Sequence, residues 1–96
     1  MDCIMGSFVP TVNSKLESGQ VANNGNLNEI TNTGTYFLNG GRTYVNAPDT
    51  YGILVVMRPL SAVNVAQLVV TNAAIYFRYK DGNGWYPWKK LTGSST

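Results

Sequence analysis

The sequence contains no histidine. That removes the commonest general base, and with it the Ser-His-Asp and Cys-His arrangements used in nucleophilic catalysis. Its one cysteine, Cys3, can form no disulfide within the chain. With no imidazole and a single thiol, a Cys/His zinc site is excluded too. Cys3 reads as a free thiol on a loose terminus, and a fold without disulfides fits synthesis in a reducing cytoplasm. Charge is also scarce. Only 12% of the 96 residues are charged, against about 25% in an ordinary soluble domain. Asn, Thr, Ser and Gly fill the gap. Such a surface loses little on meeting another copy of itself or a neutral ligand, because few charges must be stripped of water. Assembly is therefore expected.

Other absences narrow the function further. The acids are Asp2, Glu17, Glu29, Asp49 and Asp81, and a glycosidase needs two carboxylates at a defined separation across the scissile bond. Asp49 and Asp81 both sit in turn-like contexts, where Asp serves the backbone. Gly40-Gly41 and the Gly82/Gly84 pair match no phosphate-cradling motif. The net charge is +2 and the basic residues are scattered, whereas a nucleic-acid binder carries a dense basic stripe. The first residues, Met1-Asp2-Cys3-Ile4-Met5-Gly6, have neither the basic nor the apolar region of a signal peptide. The apolar run Ile53 to Met57 falls far short of the 18 or so residues of a membrane span. No catalytic residue, metal site or cofactor is assigned, and neither nucleic acid nor an inserted membrane is expected as partner.

What is present is β-forming sequence and aromatic rings. Val9, Val12 and Leu16 fall at i, i+3, i+7, with Pro10 just before a start at Thr11 and Gly19 after, which allows at most a short helix near the N-terminus. Ala22–Asn26 is loop by composition. Thr35–Leu38 is a β-former run closed by Asn39-Gly40-Gly41, and Ile53–Met57 is apolar on both faces. That strand needs cover on both sides, from the N-terminal segment or from another subunit. Ala66, Leu68 and Val70 alternate with Gln67, Val69 and Thr71, and Thr71–Ala74 reads as a turn. Ile75, Phe77 and Tyr79 then alternate with Tyr76, Arg78 and Lys80, the cleanest period of two in the chain. Asp81-Gly82-Asn83-Gly84 is a hairpin turn. Trp85 to Leu91 returns as a last strand that lies at an edge or bulges at Pro87, which has no N–H to give the ladder. The expected fold is mainly β, a small antiparallel meander of about four or five strands, with a short helix or irregular N-terminal segment. Residues 1–26 read as an N-terminal linker, 27–92 as the β domain and 93–96 as a flexible tail.

The rings gather near the end, where Tyr76, Tyr79, Trp85, Tyr86 and Trp88 stand beside Arg78, Lys80, Lys89 and Lys90. Flat aromatic faces with planar donors suit a sugar, whose C–H face packs on a ring while its hydroxyls take hydrogen bonds. The plainer reading is that the rings fill a small core. Alternation sends Phe77 and Tyr79 to the core with Ile75 and leaves Tyr76 exposed with Arg78. Pro87 breaks the parity that would assign the tryptophans. The candidate ligand face is Tyr76, Arg78, Trp85 and Trp88, shallow and on the terminal hairpin.

Taken together, several strings resemble the pyocin-knob and phage tail-fibre knob domains. Leu27-Asn28-Glu29-Ile30 followed by Gly34-Thr35-Tyr36 is similar to that family's opening. Asn46-Ala47-Pro48 and Gly52-Ile53-Leu54-Val55-Val56 resemble its middle. Gln67-Leu68, Ile75–Tyr79 and Gly84-Trp85-Tyr86-Pro87-Trp88-Lys89-Lys90-Leu91 resemble its aromatic close. The resemblance runs from Leu27 to Leu91, and it implies that residues 1–26 are a linker or shaft-proximal segment. It implies a homotrimeric, receptor-binding module of a virion tail or tailocin fibre, made in the bacterial cytoplasm without a signal peptide. Its partners would be bacterial surface polysaccharide and other tail or fibre proteins. A purely structural trimerisation or docking module is the alternative, and a fragment of a polysaccharide depolymerase the third. No binding residues are carried over from the family.

Overall fold

The computed structural model describes residues 17–61 and 63–92. Within them runs one twisted sheet of seven strands: β1 (Glu17–Gln20), β2 (Gly34–Leu38), β3 (Gly52–Met57), β4 (Val65–Val70), β5 (Ile75–Asp81), β6 (Gly84–Trp85) and β7 (Lys89–Leu91). From β2 to β5 it is an antiparallel meander, and β6 and β7 both return along β5. The expected β class and meander hold.

The turns follow from their residues. The Thr71 hydroxyl accepts from the N–H groups of Ala73 and Ala74, which closes the β4–β5 turn. Asp81 Oδ1 accepts from Asn83 N–H, and Gly84 takes a φ of +105°, so a two-residue turn joins β5 to β6. Asp49 likewise accepts from the adjacent Thr50 N–H. Both carboxylates therefore serve local backbone.

Two expectations about the N-terminal part are revised. Glu17–Gln20 is a strand paired parallel to β2 in the register Glu17–Gly34 to Gln20–Phe37, so the sheet is mixed. A Cβ at Gly34 would collide with the Glu17 backbone, so glycine is what lets the strands meet there. Val21 enters the core, and the folded unit thus extends upstream of residue 27. Runs of Glu, Ser, Gly and Gln carry no β signature, and the pairing comes from tertiary contact. The short helix expected around Val9–Leu16 lies outside the described residues.

The core sits on one face of the sheet. Leu38, Leu54, Val56, Val65 and Val69 point into it and are essentially without solvent exposure. Each such side chain contributes roughly 1.5–3 kcal/mol relative to exposure. Their cover is two irregular segments, 21–33 and 39–51, which bring Val21, Leu27, Ile30, Tyr44 and Ala47 onto that face. The segments are tied to each other. Val45 N–H donates to Gly25 O, and Leu27 N–H to Val45 O. Asn26 Oδ1 accepts from both Asn28 N–H and Asn46 Nδ2, capping the 3-10 turn Leu27–Glu29.

The opposite face is left open by the described residues. Among the described residues, the register lines its side chains into rows across the strands. One row reads Phe37, Ile53, Val70, Ile75, Leu91, and a second Thr35, Val55, Leu68, Phe77, Lys89. A third reads Met57, Ala66, Tyr79, Tyr86. The expectation for β3 is thus half met, since Leu54 and Val56 are covered while Ile53 is 50% exposed.

Candidate functional site

The face assignment of the terminal hairpin is the reverse of the one alternation suggested. Phe77 and Tyr79 are 39% and 46% exposed, on the open face with Ile75. Tyr76 packs against the core, and Arg78 is only 6% exposed. The same inversion runs through β4, where Gln67 is fully buried and Leu68 faces outward. The period of two was right. Which side is inside was decided by the segments from elsewhere in the chain that lie on it.

A bulge organises the returning strand. Trp85 stands opposite Lys80, and Tyr86 N–H donates to Tyr79 O. The ladder resumes with Lys89 opposite Phe77 and Lys90 opposite Tyr76. Pro87 and Trp88 therefore both face Arg78, the two-against-one arrangement of a β-bulge. Without it, Trp85 and Trp88, three positions apart, would lie on opposite faces. With it, both reach the covered face and enclose Arg78. The guanidinium carbon lies 3.8 Å from the Trp85 ring centroid and 4.6 Å from that of Trp88. A desolvated cation over a ring is worth about 2 kcal/mol. Trp88 Nε1 donates to Asn46 O, fastening the hairpin to the 39–51 segment.

Arg78 continues into a buried polar chain. Its Nε donates to Gln67 Oε1 at 2.9 Å, and Gln67 Nε2 donates to Leu27 O and Ile30 O. The amide thereby closes the C-terminal end of the 3-10 turn and ties the 21–33 segment to the sheet. Burial pushes the Arg78 guanidinium down to about 10, so it stays charged at neutral pH. Its Nη2 is buried without a hydrogen-bond partner. Nothing in the sequence marks Gln67, because a lone Gln in an alternating strand reads as surface.

The four candidate ligand residues thus lie on the covered face. Arg78, Trp85 and Trp88 are brought together, with Tyr76 two positions along β5 and Lys90 Nζ 5.8 Å from its ring. They do not form a shallow exposed surface, because Arg78 is buried with the Trp85 and Trp88 rings against its guanidinium. What sequence reasoning missed is on the other side of the bulge. There Phe77, Tyr79, Tyr86, Pro87 and Lys89, with Arg78, line a groove of about 390 Å³. The Tyr79 and Tyr86 rings are parallel to within 9°, with centroids 6.4 Å apart. Tyr79 Oη accepts from Asn64 Nδ2, and Tyr86 Oη donates to Asp81 Oδ2. Two further hollows, of about 460 and 270 Å³, follow the open face along β1–β3. No group of three or more His, Cys, Asp or Glu that could hold a metal occurs among the described residues.

No protein-family model matches the chain, and no curated protein matches it. Among solved structures it is similar to an N-truncated R2-type pyocin tail fibre, with a TM-score of 0.69 and 22% identity. The match covers 78% of this chain and 32% of that one, so the chain spans about a third of that fibre fragment's length. At this identity the likeness is one of fold, and it places the meander beside a segment of a pyocin tail fibre.

Proposed function

We propose that this chain is a non-enzymatic module of a phage tail or tailocin fibre that assembles with copies of itself and takes part in attachment to bacterial surface polysaccharide. The observation that carries it is the open sheet face, apolar in three rows, on a fold shared with a pyocin fibre segment. At strand and residue spacings, those rows cover on the order of 500 Å² in projection. That is the size at which an apolar patch marks an interaction site. The β2–β4 part is aliphatic, with Ile53, Val55, Met57, Leu68 and Val70, and suits contact with another protein surface. A homotrimer is the assembly that the fibre reading implies.

Light scattering on the full chain tests the assembly, with a trimer expected and a monomer at all concentrations overturning it. Retention on host cells or on a glycan array tests the attachment. The internal position of the Arg78 stack favours a second reading, a structural module that spaces or docks the fibre. A trimer that binds no cell and no glycan would establish that one. Release of reducing ends from purified host polysaccharide would overturn the non-enzymatic part of both.

A further inference from the structure

We propose that the groove beside the bulge, on the open face of β5–β7, binds a pyranose that carries a carboxylate. The inference rests on the attachment reading above and gives it a site and a ligand class. The groove's size lies within the range of small-molecule sites, about 300–1,000 Å³. Its lining brings flat apolar side chains together with a lysine, which neither of the other two hollows does. Phe77, Tyr79, Tyr86 and Pro87 supply flat apolar surfaces of the kind that accept the C–H face of a sugar ring. The tyrosine hydroxyls hold Asn64 and Asp81 at the outer ends of the rings, so amide and carboxylate groups stand near to meet sugar hydroxyls. Those bonds also fix the rings, so little rotamer freedom is lost on binding.

The charge comes from Lys89. Its side chain is exposed and has no partner among the described residues, while its neighbour Lys90 is turned to the other face over Tyr76. With Arg78 in the lining and the Asp81 carboxylate held at Tyr86, Lys89 leaves the groove with one net positive charge, which matches a ligand with a single negative charge such as a uronic acid at neutral pH. The hollow of about 460 Å³ at β1–β3 makes the contrast. It contains no ring, and its charged residue is Glu17. The bulge itself creates the site. It sends Trp88 to the covered face and leaves Pro87 between Tyr86 and Lys89, which opens the lining opposite Phe77 and Tyr79.

Amide shift mapping on the full-length 15N-labelled protein tests this, with glucuronate and galacturonate against glucose and galactose as probes. Shifts are expected at residues 77–79 and 86–89, with the acids binding about tenfold tighter, the worth of one charge-assisted contact. The preference should shrink as salt rises. Lys89→Gln should remove the preference and leave the weak neutral binding, and Tyr86→Ala should remove both. No shift with either uronate, shifts elsewhere, or an unchanged preference in Lys89→Gln would overturn the site. The wider reading fails separately. If wild type, Lys89→Gln and Tyr86→Ala retain equally on host cells, attachment stands and this groove falls. If wild type retains on no cell, the attachment reading itself falls.

Discussion

The two faces of this sheet use similar side chains for opposite ends. On the covered face, Leu54, Val56, Val65 and Val69 are sealed under two irregular segments, and polar groups among them are engaged in a chain from Arg78 through Gln67 to Leu27 and Ile30. On the open face, Ile53, Val70, Ile75 and Phe77 are just as apolar and stand between 38% and 50% exposed. Apolar character therefore does not tell inside from outside in this molecule. The polar residues do. A buried Gln and a buried Arg mark the side that folding fills, and apolar rows with little polar relief mark the side that the described residues leave uncovered.

The comparison makes definite predictions. The largest effect is expected at Gln67. Replacing it by Leu strands Arg78 Nε and Ile30 O, while Leu27 O keeps its bond from Ile30 N–H, at about 1–3 kcal/mol for each buried group stranded. Chemical denaturation should show a total loss of about 3 kcal/mol or more. A loss under about 1 kcal/mol would mean the chain is not what fastens the 21–33 segment. Trp88→Ala comes next, at about 3 kcal/mol, the lower end for a large ring because the indole is only partly buried. It should lower the melting temperature in step with any loss of binding. A selective binding defect at unchanged stability would return Trp88 to the role of ligand residue.

The open face should behave in the opposite way. Ile53→Lys is expected to change monomer stability by no more than about 0.5 kcal/mol, as at other exposed positions, while shifting light scattering toward the monomer. An unchanged assembly would move the contact off the β2–β4 rows. The smallest effect concerns Tyr36, whose hydroxyl donates to Asn32 O and lies near Glu17. Burial, then the Glu17 charge, then the hydrogen bond to Glu17 raise its pKa above the usual 10.0. A raised folded value means a stabilising contribution fully present below pH about 10 and lost as pH climbs through the folded value. Tyr36→Phe should flatten that alkaline loss, read from melting temperatures across the range. An identical slope in the two proteins would remove Tyr36 as its source.

Much of the fold was legible in the sequence. The turns at Thr71–Ala74 and Asp81–Gly84, the alternation of β4 and β5, and an edge or bulge at Pro87 all follow from local chemistry. What escaped is non-local. Glu17–Gln20 has no strand signature and becomes one by pairing with β2. The inward side of Tyr76 and Arg78 depends on segments 21–33 and 39–51, which no window around β5 contains. The candidate ligand face turns on the same point: Tyr76, Arg78, Trp85 and Trp88 do lie together on one hairpin, but on its covered side, and the groove lies where alternation alone sends Phe77 and Tyr79 to the core.

The bulge at Pro87 and Trp88 can be put in the language of coding. A strand has a two-letter frame, one letter for each side of the sheet, and a single extra residue shifts every later letter. Pro87 is such an insertion, and the two-against-one pairing at Arg78 suppresses the shift on the spot. From Trp88 onward the strand reads as if the proline were absent. A chain lacking Pro87 would therefore keep Trp88 against Arg78 and Lys89 facing outward. A second insertion beside it would exceed what one bulge absorbs, and every side chain from Trp88 to Leu91 would then be read on the wrong side.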